Sequence, residues 1–262
     1  MPEDEAIAKA RQMANKALEL DPRSSEALTA LGLVALYDKS PEEAGSLYRR
    51  AIEIKPNNTA ARLRLAVMLT LNDTLDDAIS ELRLAQKADP TSMVANQTLT
   101  RLLRLNRDPD GALIFCKKAL EIDPDSAAAR SYLAEIYEQK DNLDKAAAEL
   151  DGLLKEAPDD PEFNLLRSRV AAKKGNDALA REFLQKGIKN RKPDEFSYEL
   201  STAYLFLNEK AKALEVLKTA KENTLIYFIH LKFDSNLDEI RKEKDFASIL
   251  EAAKLRLDPS YK

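Results

Sequence analysis

A spacing of 34 residues recurs along this 262-residue chain and constrains its fold more than any other feature. Prolines stand at positions 22, 56, 90, 124 and 158, and alanines stand at positions 10, 44, 78, 112, 146 and 180, with Ala213 following after 33 residues. Each proline closes a phrase such as KALEIDP (118–124), and proline ends a helix because it lacks an N–H and clashes with the preceding turn. A 34-residue period is typical of stacked helix-turn-helix repeats.

The composition agrees with an all-α fold. Ala, Leu, Glu, Lys and Arg dominate, whereas the chain has only six glycines and no tryptophan. The net charge is −4 with both signs interspersed, so we predict no nucleic-acid partner for this region. The longest apolar run, residues 225–231, is too short to span ~30 Å of hydrocarbon, so we predict no membrane insertion by this region either. The acidic start lacks the features of a signal peptide.

The residues at these positions resemble the tetratricopeptide repeat (TPR), in which helix A carries an apolar-small pair, helix B an early alanine, and a proline ends the unit. Residues of the first repeat that match are Leu31, Gly32, Ala44, Tyr48, Ala51 and Pro56. The resemblance implies an all-α, right-handed superhelical solenoid of antiparallel helix pairs, with about six repeats and terminal capping helices. We place a partial leading repeat, its helix B alone, at 1–24, repeats at 25–58, 59–92, 93–126, 127–160, 161–193 and 194–223, and a C-terminal capping segment at 224–262.

Some details of the repeats are open. We predict that Ser25, Thr59, Ser92 and Ser126 cap the helices A that follow the prolines. Arg167 stands where a leucine is expected, so helix A of the fifth repeat is expected to be rotated or shifted by one residue. Residues 3–20 lack a preceding helix A, which indicates either a natural cap or a chain cut from something longer, and we favour the second.

The C-terminal segment departs from the repeat. One helical face is apolar and the opposite face is polar, as in a helix that covers the end of a solenoid; the apolar residues are Phe246, Ile249, Leu250, Ala253 and Leu257, and the polar ones are Asp245, Ser248, Glu251 and Lys254. The segment 234–250 also resembles the closing D-P-x-F-D-x-L-R-x-D-P-x-F-x-x-L-L segment of bacterial repeat proteins. With the opening residues, this is similar to the C-terminal TPR region of bacterial winged-helix transcriptional regulators and signalling proteins.

Residues suited to catalysis are scarce. His230 is the single histidine and lies in an apolar stretch, and the single cysteine, Cys116, occupies a position that Tyr48 and Leu82 hold in other repeats. We therefore predict that both are core residues. We expect no enzyme activity, no cofactor and no metal site, because phosphate-binding loops and clustered metal ligands are missing from the sequence.

The TPR resemblance implies that a protein or peptide binds in a concave groove lined by helices A. The inward positions predicted to contact it are Arg64, Gln97, Arg101, Arg104, Tyr132, Glu135, Glu138 and Tyr198. The alternative is that these charges only solvate the inner face or pair across neighbouring helices. The clamp of the chaperone-binding subclass is absent as a set, since its positions include Thr29, Leu33, Arg64, Val94 and Thr98.

We interpret the chain as a non-catalytic interaction or sensory module of a bacterial signalling or transcription regulator, in the cytoplasm or on the periplasmic side of an inner-membrane regulator. Two alternatives stay open: a free-standing scaffold for cell-envelope or secretion-complex assembly, and the substrate-selecting domain of a larger enzyme. The sequence does not define the partner, the oligomeric state or any upstream DNA-binding, kinase or cyclase domain.

Overall fold

The chain folds into consecutive antiparallel helix pairs. The structure, a computed structural model, describes residues 3–38, 40–71, 74–192, 195–221 and 224–256, and these ranges contain α-helices, two short 3-10 helices and no β-strand. The α-helices are α1 (Glu3–Leu20), α2 (Ser25–Tyr37), α3 (Pro41–Ile54), α4 (Thr59–Leu71), α5 (Leu75–Ala88), α6 (Met93–Leu105), α7 (Pro109–Ile122), α8 (Ala127–Gln139), α9 (Leu143–Glu156), α10 (Pro161–Lys173), α11 (Asp177–Asn190), α12 (Ser197–Phe206), α13 (Lys210–Thr219), α14 (Leu225–Phe233) and α15 (Phe246–Arg256). The 3-10 helices are Ser235–Leu237 and Ile240–Lys242.

The helices form two compact units, whose boundary falls within α6. The first unit contains the described residues up to Leu99, and the second contains Thr100–Arg256. In the first unit, α2 packs on α3 and α4 packs on α5. In the second unit, α8 pairs with α9, α10 with α11 and α12 with α13. None of the helices in the described ranges combines the length and apolar character that a membrane crossing requires.

Close approach of each helix pair depends on small residues at the crossing. The six helix-B alanines at positions 44, 78, 112, 146, 180 and 213 are completely buried. On the facing helix, Ser168 donates a hydrogen bond to the carbonyl oxygen of Ala180 at 2.8 Å, and Ser201 makes the same bond to Ala213 at 3.2 Å. In the first unit, a Cβ on Gly32 would clash with the ring of Tyr48, so glycine leaves room for the tyrosine ring.

Two of the predicted helix caps are wrong by one residue. The cap of α2 is Ser24, whose Oγ accepts from the backbone N–H of Ala27 at 3.3 Å, and Asn58 accepts from the N–H of Ala61 at 3.0 Å. Ser25 is instead the first residue of α2, and its hydroxyl donates to the carbonyl oxygen of Ala51 at 2.7 Å. Thr59 is likewise the first residue of α4. Ser92 and Ser126 accept from backbone N–H groups three residues later, as predicted.

The shift expected in helix α10 does not occur. α10 begins and ends 34 residues after α8, and Ser168 faces Ala180 in the ordinary register. Arg167 keeps the leucine position because its guanidinium has partners there. Its Nε donates to Asp151 Oδ1 at 2.7 Å, and its guanidinium carbon lies 5.1 Å from the centre of the Phe183 ring.

The turns between paired helices in the second unit share one backbone conformation. A positive φ occurs at Arg107 (60°), Asp141 (58°), Gly175 (75°) and Asn208 (59°). The intervals between them are 34, 34 and 33 residues. The left-handed position therefore recurs with the same period as the buried helix-B alanine. Only one of the four is glycine, although the left-handed region favours it.

The terminal helices agree with the amphipathic patterns of the sequence. On α15, Phe246, Ile249 and Ala253 are buried and Leu250 is partly buried, whereas the four polar residues of the opposite face are exposed. α1 packs on α2 and buries Ala14. Leu257, predicted for the apolar face, and Asp194, the predicted start of the sixth repeat, lie outside the described residues.

Candidate functional site

The structure places the eight predicted groove residues in different environments. Arg64, on α4, is exposed and Gln97, on α6, is half-buried, and both belong to the first unit. In the second unit, Arg101 is half-buried and its Nη1 donates to Tyr132 Oη at 3.3 Å. The remaining four side chains are buried in the second unit; they are Arg104, Glu135, Glu138 and Tyr198.

Three of the charged residues predicted to line the groove, Arg104, Glu135 and Glu138, lie in ion pairs. Arg104 Nη2 lies 3.4 Å from Glu135 Oε2, and Arg169 Nη2 lies 3.2 Å from the same oxygen and 2.6 Å from Glu138 Oε2. Lys173 Nζ lies 2.9 Å from Glu138 Oε1. For these charged groups, the structure therefore supports the alternative of pairing across neighbouring helices.

Burial makes these ion pairs depend strongly on each other. Burial tends to raise the pKa of Glu138, but Arg169 and Lys173 outweigh it and hold that pKa below its ordinary value. A buried charge without its partner is strongly destabilising, whereas a complete network is tolerated. We define the buried network as Arg104, Glu135, Glu138, Arg169, Lys173 and Asp234; it contains three cations and three carboxylates.

The sixth member, Asp234, comes from a segment that follows the last paired helices. Arg104 Nη1 donates to Asp234 Oδ2 at 2.8 Å. Two further contacts join the same segment to the helices: Asn236 Nδ2 donates to Tyr198 Oη at 3.4 Å, and Arg107 Nη2 donates to Asp238 Oδ2 at 2.7 Å. We call residues 234–241 the closing segment.

Arg241 stabilises the closing segment through three contacts of its guanidinium group. Arg241 Nε donates to the carbonyl oxygen of Leu231 at 3.1 Å, and its Nη2 donates to the carbonyl oxygen of Asp234. Its Nη1 pairs with Asp238 Oδ1. The Asp, Asp and Arg of the closing motif thus hold one compact turn against helices α6 and α12.

A pocket of about 610 Å³ lies beside the buried network in the second unit. Its walls come from α8, the start of α10, α12 with the residues before it, and α14. The aromatic residues that line it are Tyr132, Phe163, Phe196, Tyr198 and Tyr227, and the carboxylates are Glu135, Glu162, Glu195 and Glu199. One ammonium group, that of Lys221, also lines it. This volume is in the range that encloses a small ligand or one to two side chains.

Glu162 is distinct among the pocket carboxylates. Glu135 pairs with Arg104 and Arg169, and Glu195 pairs with Lys192 at 3.5 Å, but Glu162 has no ion-pair partner among the described residues. Its Oε1 accepts a long hydrogen bond from Ser131 Oγ at 3.4 Å. Burial, assisted by the negative charges of Glu135 and Asp160, raises the pKa of Glu162 to about 7.

His230 is the second unusual polar group of the pocket. It is 5% exposed, and its ring packs edge-to-face on Tyr198 with the ring centres 4.3 Å apart, which confirms the prediction of a packed histidine. Neither ring nitrogen has a hydrogen-bond partner among the described residues. Burial and the nearby charge of Arg104 lower the pKa of His230 to about 3, so the ring is neutral at neutral pH.

The described residues offer neither an exposed thiol nor a cluster of metal ligands. Cys116 is buried as predicted, and its thiol donates to the carbonyl oxygen of Ala129 at 3.2 Å. Within the described ranges, no group of three or more His, Cys, Asp or Glu side chains is arranged to hold a metal ion.

Comparison with known proteins decides the family. Sequence profiles of the tetratricopeptide repeat match residues 35–100 and 103–170, and a second profile of the same repeat matches residues 6–59. The chain belongs to the TPR family. A search of curated protein sequences finds no significant match.

Several solved structures share the fold at low identity. A tetratricopeptide repeat protein from Parabacteroides merdae is 17% identical, with a TM-score of 0.70 over 96% of this chain and 94% of that one. YrrB, a TPR protein with an unusual peptide-binding site, is 18% identical, with a TM-score of 0.59 over 68% of this chain and 92% of its own. PilF of Pseudomonas aeruginosa is 17% identical, with a TM-score of 0.55 over 84% and 98% of the two chains.

Sequence reasoning missed Arg169, Lys173 and Asp234 of the buried network and Glu162 of the pocket. Arg169 could have been found, because one helix-A position carries Arg101, Glu135 and Arg169 at successive intervals of 34 residues. Such alternation predicts pairing between adjacent helices. Glu162 carries no comparable signal, and the motif that contains Asp234 does not reveal its pairing with Arg104, because both environments depend on residues distant in sequence.

Proposed function

We propose that this chain is a non-catalytic TPR module that binds a partner protein, and that the pocket of the second unit is its principal contact site. The observation that carries the proposal is the set of five aromatic side chains converging with carboxylates on one pocket of about 610 Å³. Aromatic side chains supply large, rigid contact area and dominate many protein interfaces. The presence of a peptide-binding TPR protein, YrrB, among the structural neighbours is consistent with this use.

Site-specific photo-crosslinking tests the proposal. Ile226 lines the pocket and is 48% exposed, so a benzoylphenylalanine placed there can reach a bound partner. Ile114, on α7, is 57% exposed, does not line this pocket and provides the matched control. We expect a discrete adduct from position 226 and none from position 114, with the partner then identified by mass spectrometry.

Binding of the purified partner completes the test. Tyr132→Ala removes one aromatic wall of the pocket, and we expect it to weaken binding by about tenfold or more. Ile114→Ala should leave the affinity unchanged. Equal crosslinking from both positions, or an unaltered affinity of the Tyr132→Ala protein, would refute the pocket as the contact site.

We also propose that the module belongs to a bacterial signalling or transcription regulator and conveys occupancy of the pocket to an output domain. The support is the resemblance of the closing segment, where Asp234, Asp238 and Arg241 match the motif and brace one turn. The genomic reading frame tests this. A winged-helix, kinase or cyclase domain encoded in the same frame supports the regulator, whereas a signal peptide alone supports an envelope scaffold.

A further inference from the structure

The pocket has one carboxylate without an ion-pair partner and one imidazole without a hydrogen-bond partner among the described residues. Glu162 has no cation paired with it, and His230 is 95% buried with both ring nitrogens unbonded among the described residues. Buried polar groups are normally hydrogen-bonded, so the unbonded His230 ring is exceptional, and the half-buried Glu162 accepts only the long bond from Ser131. Because they come from different helices, α10 and α14, no single local distortion accounts for both.

The charge around the pocket defines which ligand group can satisfy them. Four carboxylates and one ammonium group line the pocket. Arg104 and Arg169, which lie next to Glu135, already pair with carboxylates of the buried network. Glu135 and Glu195 have cationic partners and Glu162 has none in the described part of the chain, so an anionic ligand would be repelled by Glu162 once that group is ionised. A cation would meet Glu162 together with aromatic faces, which attract cations electrostatically.

We propose that the pocket binds a lysine or arginine side chain of a basic segment in the partner protein, with Glu162 as the charged acceptor and His230 as a neutral acceptor. This inference rests on the proposed function and specifies its partner. A neutral imidazole has one acceptor nitrogen, which an ammonium or guanidinium N–H can use. The aromatic walls contact the aliphatic part of the side chain.

This arrangement makes binding dependent on pH. Glu162 binds a cation when it is ionised, and its pKa of about 7 means that ionisation is completed between pH 6 and pH 8. His230, with a pKa of about 3, stays neutral across this interval. Affinity should therefore rise with pH. The other titratable or charged groups facing Glu162 from the surrounding elements are Glu135, Asp160, Glu195, Glu199, Lys221 and His230.

Titration with a minimal probe tests the inference without the partner. We would titrate the full chain with N-acetyl-lysine methylamide and, separately, with N-acetyl-norleucine methylamide, which lacks the ammonium group. NMR signals of the His230 ring report occupancy, because His230 is the single histidine of the chain. We expect saturable shifts with the lysine probe and binding at least about tenfold weaker with the norleucine probe, as for loss of a charge-assisted hydrogen bond.

Two variants complete the design. Glu162→Gln should weaken the lysine probe by about tenfold at pH 8 and remove the difference in affinity between pH 6 and pH 8. Glu121→Gln, which changes an exposed carboxylate of α7 outside the pocket, should alter neither. Equal shifts with both probes, no shift with either probe, or no effect of Glu162→Gln would each overturn the inference. A crosslinked partner without His230 shifts from the lysine probe would support the proposed function and reject the lysine or arginine ligand. Saturable His230 shifts from the lysine probe without any crosslinked partner would support this ligand chemistry and reject the pocket as a protein contact site.

Discussion

Arg104 and Asp234 are joined by a buried ion pair with Nη1 and Oδ2 2.8 Å apart, although 130 residues separate them in sequence. Burial tends to raise the pKa of Asp234, but the positive charge of Arg104 outweighs it and holds that pKa below its ordinary value. The pair attaches the closing segment to helix α6. Arg104 therefore supports the fold of the second unit, whereas the half-buried Arg101 three residues earlier contacts Tyr132 at the pocket.

The first prediction separates these two arginines. Arg104→Ala should lower the free energy of unfolding by about 3–5 kcal/mol, because it leaves Asp234 without its buried counter-charge and leaves Glu135 with Arg169 alone. Arg101→Ala should lower it by about 1 kcal/mol or less, because a single half-buried hydrogen bond is lost. Urea unfolding followed by circular dichroism measures both.

A double-mutant cycle provides the control for this prediction. Arg104→Ala combined with Asp234→Ala should cost clearly less than the sum of the two single changes, since each single variant leaves the other charge unpaired. Additive losses would show that the two residues act independently.

The second prediction concerns the stability of the protein against pH. The pKa of Glu162 is raised from 4.5 to about 7 in the folded protein, so the folded state holds a proton that the unfolded state releases. The stability associated with this proton is present below pH 4.5 and is lost as the pH rises through 7. Glu162→Gln removes that loss. As the pH rises from 5 to 8, we expect the free energy of unfolding of the variant to increase relative to that of the unmodified protein by on the order of 1–3 kcal/mol.

Unfolding curves at the two pH values measure this change. The contribution of His230, whose pKa is lowered, has the opposite sign and is present in both proteins, so it cancels in the comparison. A stability difference that is the same at pH 5 and pH 8 would mean that Glu162 titrates normally.

The third prediction tests the left-handed turn position. Gly175 has a φ of 75°, and a Cβ added there would meet nothing within 4 Å, so Gly175→Ala introduces backbone strain without a clash. We expect a loss of about 1–2 kcal/mol in the free energy of unfolding. Asp141→Ala is the matched control, because that position already carries a side chain at a φ of 58°, and it should change stability by about 0.5 kcal/mol or less. Equal losses in the two variants would contradict the assignment.

The fourth prediction uses the thiol of Cys116. Burial, assisted by the negative charge of Glu149, raises the pKa of this thiol to about 12, and the side chain is fully buried. A disulfide reagent such as dithionitrobenzoate should therefore label the native protein only through unfolding, and Arg104→Ala should accelerate labelling. Rapid labelling of the native protein, unaffected by this variant, would show an accessible thiolate.

The repeat made much of the fold predictable and little of the site. The spacing of alanines and prolines predicts the helix pairs, because close helix crossings require small residues at fixed intervals. It also predicts the burial of Cys116. The caps at Ser24 and Asn58 were misplaced by one residue, since adjacent serine, asparagine and threonine residues are all good caps and only geometry chooses between them.

The pairing of Arg104 with Asp234 and the isolation of Glu162 were beyond sequence reasoning. Both depend on where the closing segment and the start of α10 lie in three dimensions, and neither follows the 34-residue period. The alternation of Arg101, Glu135 and Arg169 was readable in principle. It indicated the pairing of Glu135 with Arg169 across neighbouring helices, whereas Arg101 contacts Tyr132.

The contact of Arg104 with the closing segment also bears on how the protein emerges from the ribosome. In a simple repeat array each helix pair needs only its neighbours, so early repeats can consolidate while later ones are still being translated. Here Arg104 of α6 pairs with Glu135 of α8 and also with Asp234, which is synthesised 130 residues later. The second unit therefore completes its folding only after nearly all of it has been made, and until then Arg104 lacks one of its two carboxylate partners.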